Sequence, residues 1–234
     1  MYITYCHMKK ILEVCTVSTA GVIAAARGGA SRVELCSALE VGGVTPSPGL
    51  ISQSREAVPD ITIHTLIRPR GGDFVYDDYE IKAMVQDIRM AVDNGADGVV
   101  IGALNRDGSI DMAACERLVK AVPAGINITF HRAIDVCRDP FEALEQIISL
   151  GCNRILTSGH AADALKGIPV LSRLNQLAQG RITILPGAGV GPENAARILA
   201  LTGCHELHGS LRDPETGLTS STIVNNTLNQ MLSV

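Results

Sequence analysis

Tryptophan is absent, and only three phenylalanines and four tyrosines occur in 234 residues. So thin an aromatic supply argues against the stacking platforms that hold single-stranded nucleic acids. An excess of basic charge is missing too. Twenty basic against 24 acidic residues leave a net charge of −4, so no nucleic-acid or polyanion partner is expected. Long apolar runs are lacking. The uncharged stretch 41–54 is short of the about 20 residues a membrane helix needs, and it carries Pro46 and Pro48. No apolar run precedes Glu13, so no signal peptide and no membrane association are expected. The seven cysteines are scattered, odd in number and never form a CxxC pair. That pattern predicts reduced thiols in the cytoplasm rather than a disulfide framework. Residues 1–7 carry no pattern and read as a loose N-terminal extension. Cys6 and His7 then belong to a frayed terminus rather than a metal pair.

What is present is an internal repeat. A glycine, then Ala or Cys, then two residues, then a short apolar strand recurs at Gly29, Gly95, Gly151 and Gly203. Each glycine suits the left-handed position that ends a helix before the next strand. The intervals are 66, 56 and 52 residues. One strand-plus-helix unit takes about 25–30 residues, so each interval holds two units. The intervening strands are legible at 11–15, 61–67, 126–130 and 182–185. Helix starts are marked by Ser18, Ser47-Pro48, Asp77 or Asp78, Asp139-Pro140 and Gly191-Pro192. Eight even units predict an α/β fold: one (β/α)8 TIM-type barrel over residues 8–234. An open doubly wound sheet fits the even spacing less well.

In such a barrel the outer strand face lies under helices and is apolar. Alternation then sends Ile63, Ile67, Ile126, Ile128, Phe130 and Leu207 outward. The inward set is Glu13, Cys15, Glu34, Cys36, His64, Leu66, Arg68, Asn127, Thr129, His131, Glu206 and His208. Strands 4 and 6 are ambiguous by this test. Barrel cores are usually filled by Val, Ile and Leu. Three buried carboxylates require cations or hydrogen bonds.

Three groups in this set could carry chemistry. Cys15 and Cys36 end adjacent parallel strands at similar depth, so their sulfurs could approach closely. Two soft thiolates in near-linear geometry suit Cu(I). The blander reading is two small buried residues, as cysteine often is. Glu13, Glu34, His131 and Arg68 form a candidate acid–base set, with a satisfied polar plug as the alternative. The loops after strands 3, 5, 6, 7 and 8 supply candidate anion ligands: Arg70, Arg132, Asp135, Thr157, Ser158, Gly159, Gly187, Gly189, His208 and Ser210. Glycine there can also serve only to turn the chain.

Several of these segments together resemble the copper homeostasis protein CutC family. They are LEVC (12–15), RGGASRVELCSAL (27–39), GGVTPS (42–47), IRPRGGDFVY (67–76), GADGVVIGAL (95–104), TFHRAID (129–135), ILTSG (155–159), ILPGAGV (184–190) and ELHGS (206–210). The resemblance implies a TIM-type barrel, a cytosolic location, a role in copper handling and Cu(I) binding at Cys15 and Cys36. Residues 213–234 depart from the family pattern. They suggest only a short terminal helix, which leaves the last barrel helix in doubt. Two functions follow as expectations: a Cu(I)-binding homeostasis protein, or a metal-independent barrel enzyme. The enzyme would be a lyase, isomerase or hydrolase acting on a small phosphorylated or carboxylated metabolite. Homodimerisation is the default expectation for a barrel of this kind.

Overall fold

Each repeat glycine adopts a left-handed backbone: φ is +92° at Gly29, +99° at Gly95, +82° at Gly151 and +70° at Gly203. A Cβ would be strained there, so glycine ends each helix and releases the chain into the next strand. The structure, a computed structural model, describes residues 9–234; the extension expected at 1–7, with Cys6 and His7, lies outside them.

The strands are β1 (Ile11–Thr16), β2 (Arg32–Leu35), β3 (Thr62–Leu66), β4 (Gly98–Ile101), β5 (Asn127–Phe130), β6 (Arg154–Thr157), β7 (Thr183–Pro186) and β8 (Glu206–Gly209). They alternate with α1 (Thr19–Arg27), α2 (Pro48–Ala57), α3 (Asp78–Asp93), α4 (Met112–Ala121), α5 (Pro140–Ser149), α6 (Ile168–Ala178), α7 (Ala195–Thr202) and α8 (Ser221–Leu232). All ladders are parallel, in the order β7-β6-β5-β4-β3-β2-β1-β8. The ends of that order, β7 and β8, lie side by side and complete a (β/α)8 barrel. No helix among the described residues is long and apolar enough to cross a membrane.

The expected helix starts hold at Ser18, Ser47 and Asp139, whose side chains accept N–H groups of the first turn. Asp77 and Glu80 form a reciprocal capping box on α3. Two expectations are corrected. Gly191-Pro192 lies in a turn, closed by the Gly191 N–H donating to Asn194 Oδ1 at 3.0 Å, and α7 begins only at Ala195. The C-terminal segment supplies a full barrel helix. Its Val224, Thr227 and Met231 are buried as α8 packs beside α1 and α7. Its regular apolar spacing outweighed a Ser/Thr/Asn-rich composition.

The barrel wall separates two environments. Leu12, Val14, Val33, Ile63, Ile101, Phe130 and Leu207 are buried outside the sheet in the main apolar core. Inside lie the polar residues that alternation placed there. Their charges are balanced by two further arginines, Arg32 and Arg154. Arg32 on β2 bonds both Glu13 and Glu206. Arg154 on β6 donates from Nε to Glu206 Oε2 at 2.7 Å. Burial alone would raise the Glu206 carboxyl, but Arg32 and Arg154 outweigh it and hold it below the ordinary range.

This arrangement makes Arg32 the residue whose loss strands most charge. Arg32→Leu leaves Glu13 buried without its cation and Glu206 with only one. Urea unfolding should show a loss of about 3–5 kcal/mol, the usual cost of breaking a buried pair on one side.

Candidate functional site

The inward groups converge on a cavity of about 280 Å³ at the C-terminal mouth of the barrel. Cys15, Glu34, Arg68, His131, Arg132, Gly189, His208 and Ser210 border it, with apolar wall from Leu39, Leu66, Phe74 and Leu156. Ligands of this architecture bind at that end, where loops rather than ladders use the backbone.

One chain of contacts leads into the cavity from below. Glu13 Oε1 meets His208 Nδ1 at 2.8 Å, and His208 Nε2 stands 3.8 Å from Glu34 Oε2. Burial would raise the Glu13 carboxyl, but Arg32 and then His208 hold it well below its usual range. Burial would lower the His208 imidazole, yet its hydrogen bond to Glu13 and the charge of Glu34 raise it. Glu34 goes the other way: burial, with Glu13 nearby, pushes its carboxyl up. Glu13 therefore orients His208 beside Glu34. His208, expected as an anion ligand, borders the cavity and lies between Glu13 and Glu34.

The thiols meet as their register requires. Cys15 lies level with Glu34, one row below Cys36, and the two sulfurs are 3.7 Å apart. They sit in an apolar patch with Leu66, Val100 and Leu39. Contact with Cys36, then burial, pushes the Cys15 thiol well above its ordinary value. Cys36 is fully buried and does not border the cavity. The Gly42-Gly43 turn covers it, and a Cβ on Gly43 would lie 3.6 Å from its sulfur. Sulfur, carboxylate and imidazole donor atoms of Cys15, Glu34 and His208 all fall within 4.8 Å of one another.

His131 and Arg68 also border the cavity. His131 Nδ1 accepts the Ala133 N–H at 3.2 Å, and burial, reinforced by Arg68, lowers its imidazole to about 3. The ring fits because residue 102 is glycine: a Cβ there would lie 2.6 Å from His131 Cε1. Gly98 makes the same allowance for His64, which burial lowers to about 4. His64 Nδ1 stands 3.5 Å from Glu13 Oε2.

Other expected ligands lie off the cavity. Arg70 is spent on Glu80 at 2.6 Å and Asp73 at 3.0 Å, which knits its own loop. Asp135 fills the turn after β6 itself, accepting Thr157 Oγ1 at 2.5 Å and the Ser158 N–H at 3.0 Å. Gly159 donates to Thr157 Oγ1. The carboxylate of Asp135 thus occupies the place assigned to an incoming anion, with Thr157, Ser158 and the His160 N–H as its partners. Arg132 both pairs with Asp135 and reaches the cavity. Gly187 gives its N–H to Thr157 and leaves room for Leu156. Arg32 was legible, since it shares a strand face with Glu34 and Cys36. Arg154 could be inferred only from the unbalanced carboxylates. Phe74, in a loop, had no signal.

The folded state holds His131 and His64 neutral, whereas both would take protons near pH 6.5 when unfolded. Stability from them is therefore complete above pH 6.5 and lost as pH falls toward 4 and then 3. At pH 5 each should contribute about 2 kcal/mol less than at pH 7.5. Urea midpoints at the two pH values check this, and imidazole NMR shifts for His131 should stay flat from pH 8 to pH 4.5.

Comparison with known proteins matches this geometry to a defined group. The CutC family model covers residues 10–213. A CutC family protein of Bacteroides fragilis is 53% identical over 203 residues, covering 87% of this chain and 80% of its own. The human copper homeostasis protein cutC homolog is 47% identical over 202 residues, covering 86% and 73%. The crystal structure of Streptococcus agalactiae CutC superposes with a TM-score of 0.82 at 36% identity, over 86% of this chain and 98% of that one. Pyrococcus furiosus N-(5'-phosphoribosyl)anthranilate isomerase, at 14% identity and a TM-score of 0.60, shares the barrel alone. By sequence along most of its length and by fold, the chain belongs to the CutC family.

Proposed function

We propose that the protein serves copper homeostasis by binding Cu(I) at the barrel mouth through Cys15 and Cys36. The observation that carries this reading is the 3.7 Å approach of two unpaired thiols on adjacent strands. The geometry departs from the near-linear pair expected above. With metal–sulfur bonds of about 2.3 Å, as for zinc, this separation subtends roughly 107°, and a linear pair would span about 4.6 Å. The angle suits three or four ligands. Glu34 or His208, beside Cys15, is placed to supply the third. Both thiols would lose their protons on binding, so affinity should rise with pH. Six described cysteines are unpaired, which supports a reducing, cytoplasmic setting.

A second reading rests on a different observation, the Glu13–His208 pair aimed at Glu34 across the cavity floor. It is a metal-independent acid–base enzyme, a lyase, isomerase or hydrolase, for a small phosphorylated or carboxylated metabolite. Copper and substrate could share one mouth.

Two measurements separate these readings. Anaerobic Cu(I) titration against a competing chelator should give about one ion per chain, with affinity at least about 100-fold weaker in Cys15→Ser/Cys36→Ser. Equal affinity in the double variant would sink the copper reading. For the enzyme, chelator-treated protein should retain turnover in a metabolite screen, and His208→Gln should lower it about 100-fold or more. Turnover that vanishes with metal removal would overturn metal independence.

A further inference from the structure

We propose that the barrel mouth is a binding site for a small organic anion. Its carboxylate or phosphate would sit on the Arg68 guanidinium, and an acceptor oxygen on the His131 Nε2–H. This inference goes beyond copper binding, since it uses neither thiol, and it names the ligand class of the second reading.

Arg32 and Arg154 each meet a carboxylate. Arg68 is equally buried, 4% exposed, and among the described residues no carboxylate lies within ion-pair distance of it. Neutral carbonyls position it instead. Nη1 donates to Val41 O at 3.0 Å and Gly43 O at 2.9 Å, and Nη2 donates to Gly72 O at 2.7 Å. Three of five donors are used, and Nε has no partner. Carbonyl dipoles orient a guanidinium without cancelling its charge. A buried cation left so is costly unless an anion completes it. The buried Tyr76 hydroxyl stands beside the same guanidinium but, being neutral, cannot supply that charge.

His131 adds an independent second observation. Its Nδ1 is an acceptor, engaged by the Ala133 N–H. The neutral ring must then carry its proton on Nε2. That atom is buried without a partner, in a residue that borders the cavity. A buried N–H left without an acceptor is costly, and a ligand oxygen would recover it. Phe74 ties the two donors together. Its ring centre lies 4.8 Å from the Arg68 guanidinium carbon and 4.9 Å from the His131 ring centre. Both polar groups are thus held from behind by one apolar plate.

Size and sign set the ligand class. The cavity of about 280 Å³ corresponds to roughly nine water volumes, enough for a compact acid of about ten heavy atoms. Arg132 adds positive charge at the rim, while Glu34 and His208 border the same cavity. An anion with a carbonyl or hydroxyl next to its acid group would span from Arg68 and His131 to that pair.

Titration calorimetry and two-bond ¹H–¹⁵N spectra of histidine-labelled full-length protein test this with four probes. They are 2-oxoglutarate, malonate, ribose 5-phosphate and inorganic phosphate. At least one should bind at about 1 mM or tighter and move the His131 Nε2 resonance. The carboxylate and phosphate arms tell which acid is preferred. Binding should weaken about tenfold or more in Arg68→Gln and in His131→Phe. Because Arg68 also holds its loop, the His131 shift in the unmutated protein stands as the readout should Arg68→Gln fail to fold. No shift with any probe at about 10 mM, or full affinity in a folded Arg68→Gln variant, overturns the proposal.

Discussion

The guanidinium of Arg32, held between Glu13 and Glu206, is the interaction on which the barrel interior depends. A barrel this small is ordinarily filled by aliphatic side chains. Here three carboxylates point inward, and in a low-dielectric interior each would sooner take a proton than stay charged. Arg32 and Arg154 keep Glu206 and Glu13 ionised. Ionised Glu13 then binds His208. Glu34 has no arginine paired with it, and its carboxyl moves up instead. The same strand face carries full charge at the bottom and exchangeable protons at the top.

Between these layers, space is created by omission. Gly98 and Gly102 on and after β4 lack the Cβ atoms that would strike His64 and His131. Two imidazoles therefore enter a barrel that could not otherwise admit them. The thiols occupy their own apolar patch beside this polar column, under the Gly42-Gly43 turn. Two thiols, an unpaired guanidinium and the Glu13–His208 pair thus lie close together without neutralising one another.

The loops divide into those that face the cavity and those that satisfy themselves. The turn after β6 has the look of an anion cradle in sequence, yet Asp135 fills it from the neighbouring loop. Arg70 likewise spends its charge on Glu80 and Asp73. Arg68, two residues earlier, is bound only by carbonyls. Strand parity distinguishes these two arginines weakly, because β3 has already ended at Leu66. Chain partners decide their roles.

Local rules determined much of this protein. Period-two alternation and a repeating helix-stop glycine are short-range properties, so the eight units, the inward faces and the pairing of Cys15 with Cys36 were legible from residues alone. Arg32 was legible by the same alternation, and the buried carboxylates demanded a second cation. Matching segments pointed to the family. Tertiary structure decided what depends on contacts distant in sequence. It brought Arg154 to Glu206 across 52 residues and His208 to Glu13 across 195. It set the sulfurs at 3.7 Å rather than the span of a linear pair. It left Arg68 and His131 with donors unspent. Charge and hydrogen bonding are balances summed over every neighbour, and a sequence shows which groups need partners without showing which of them go without.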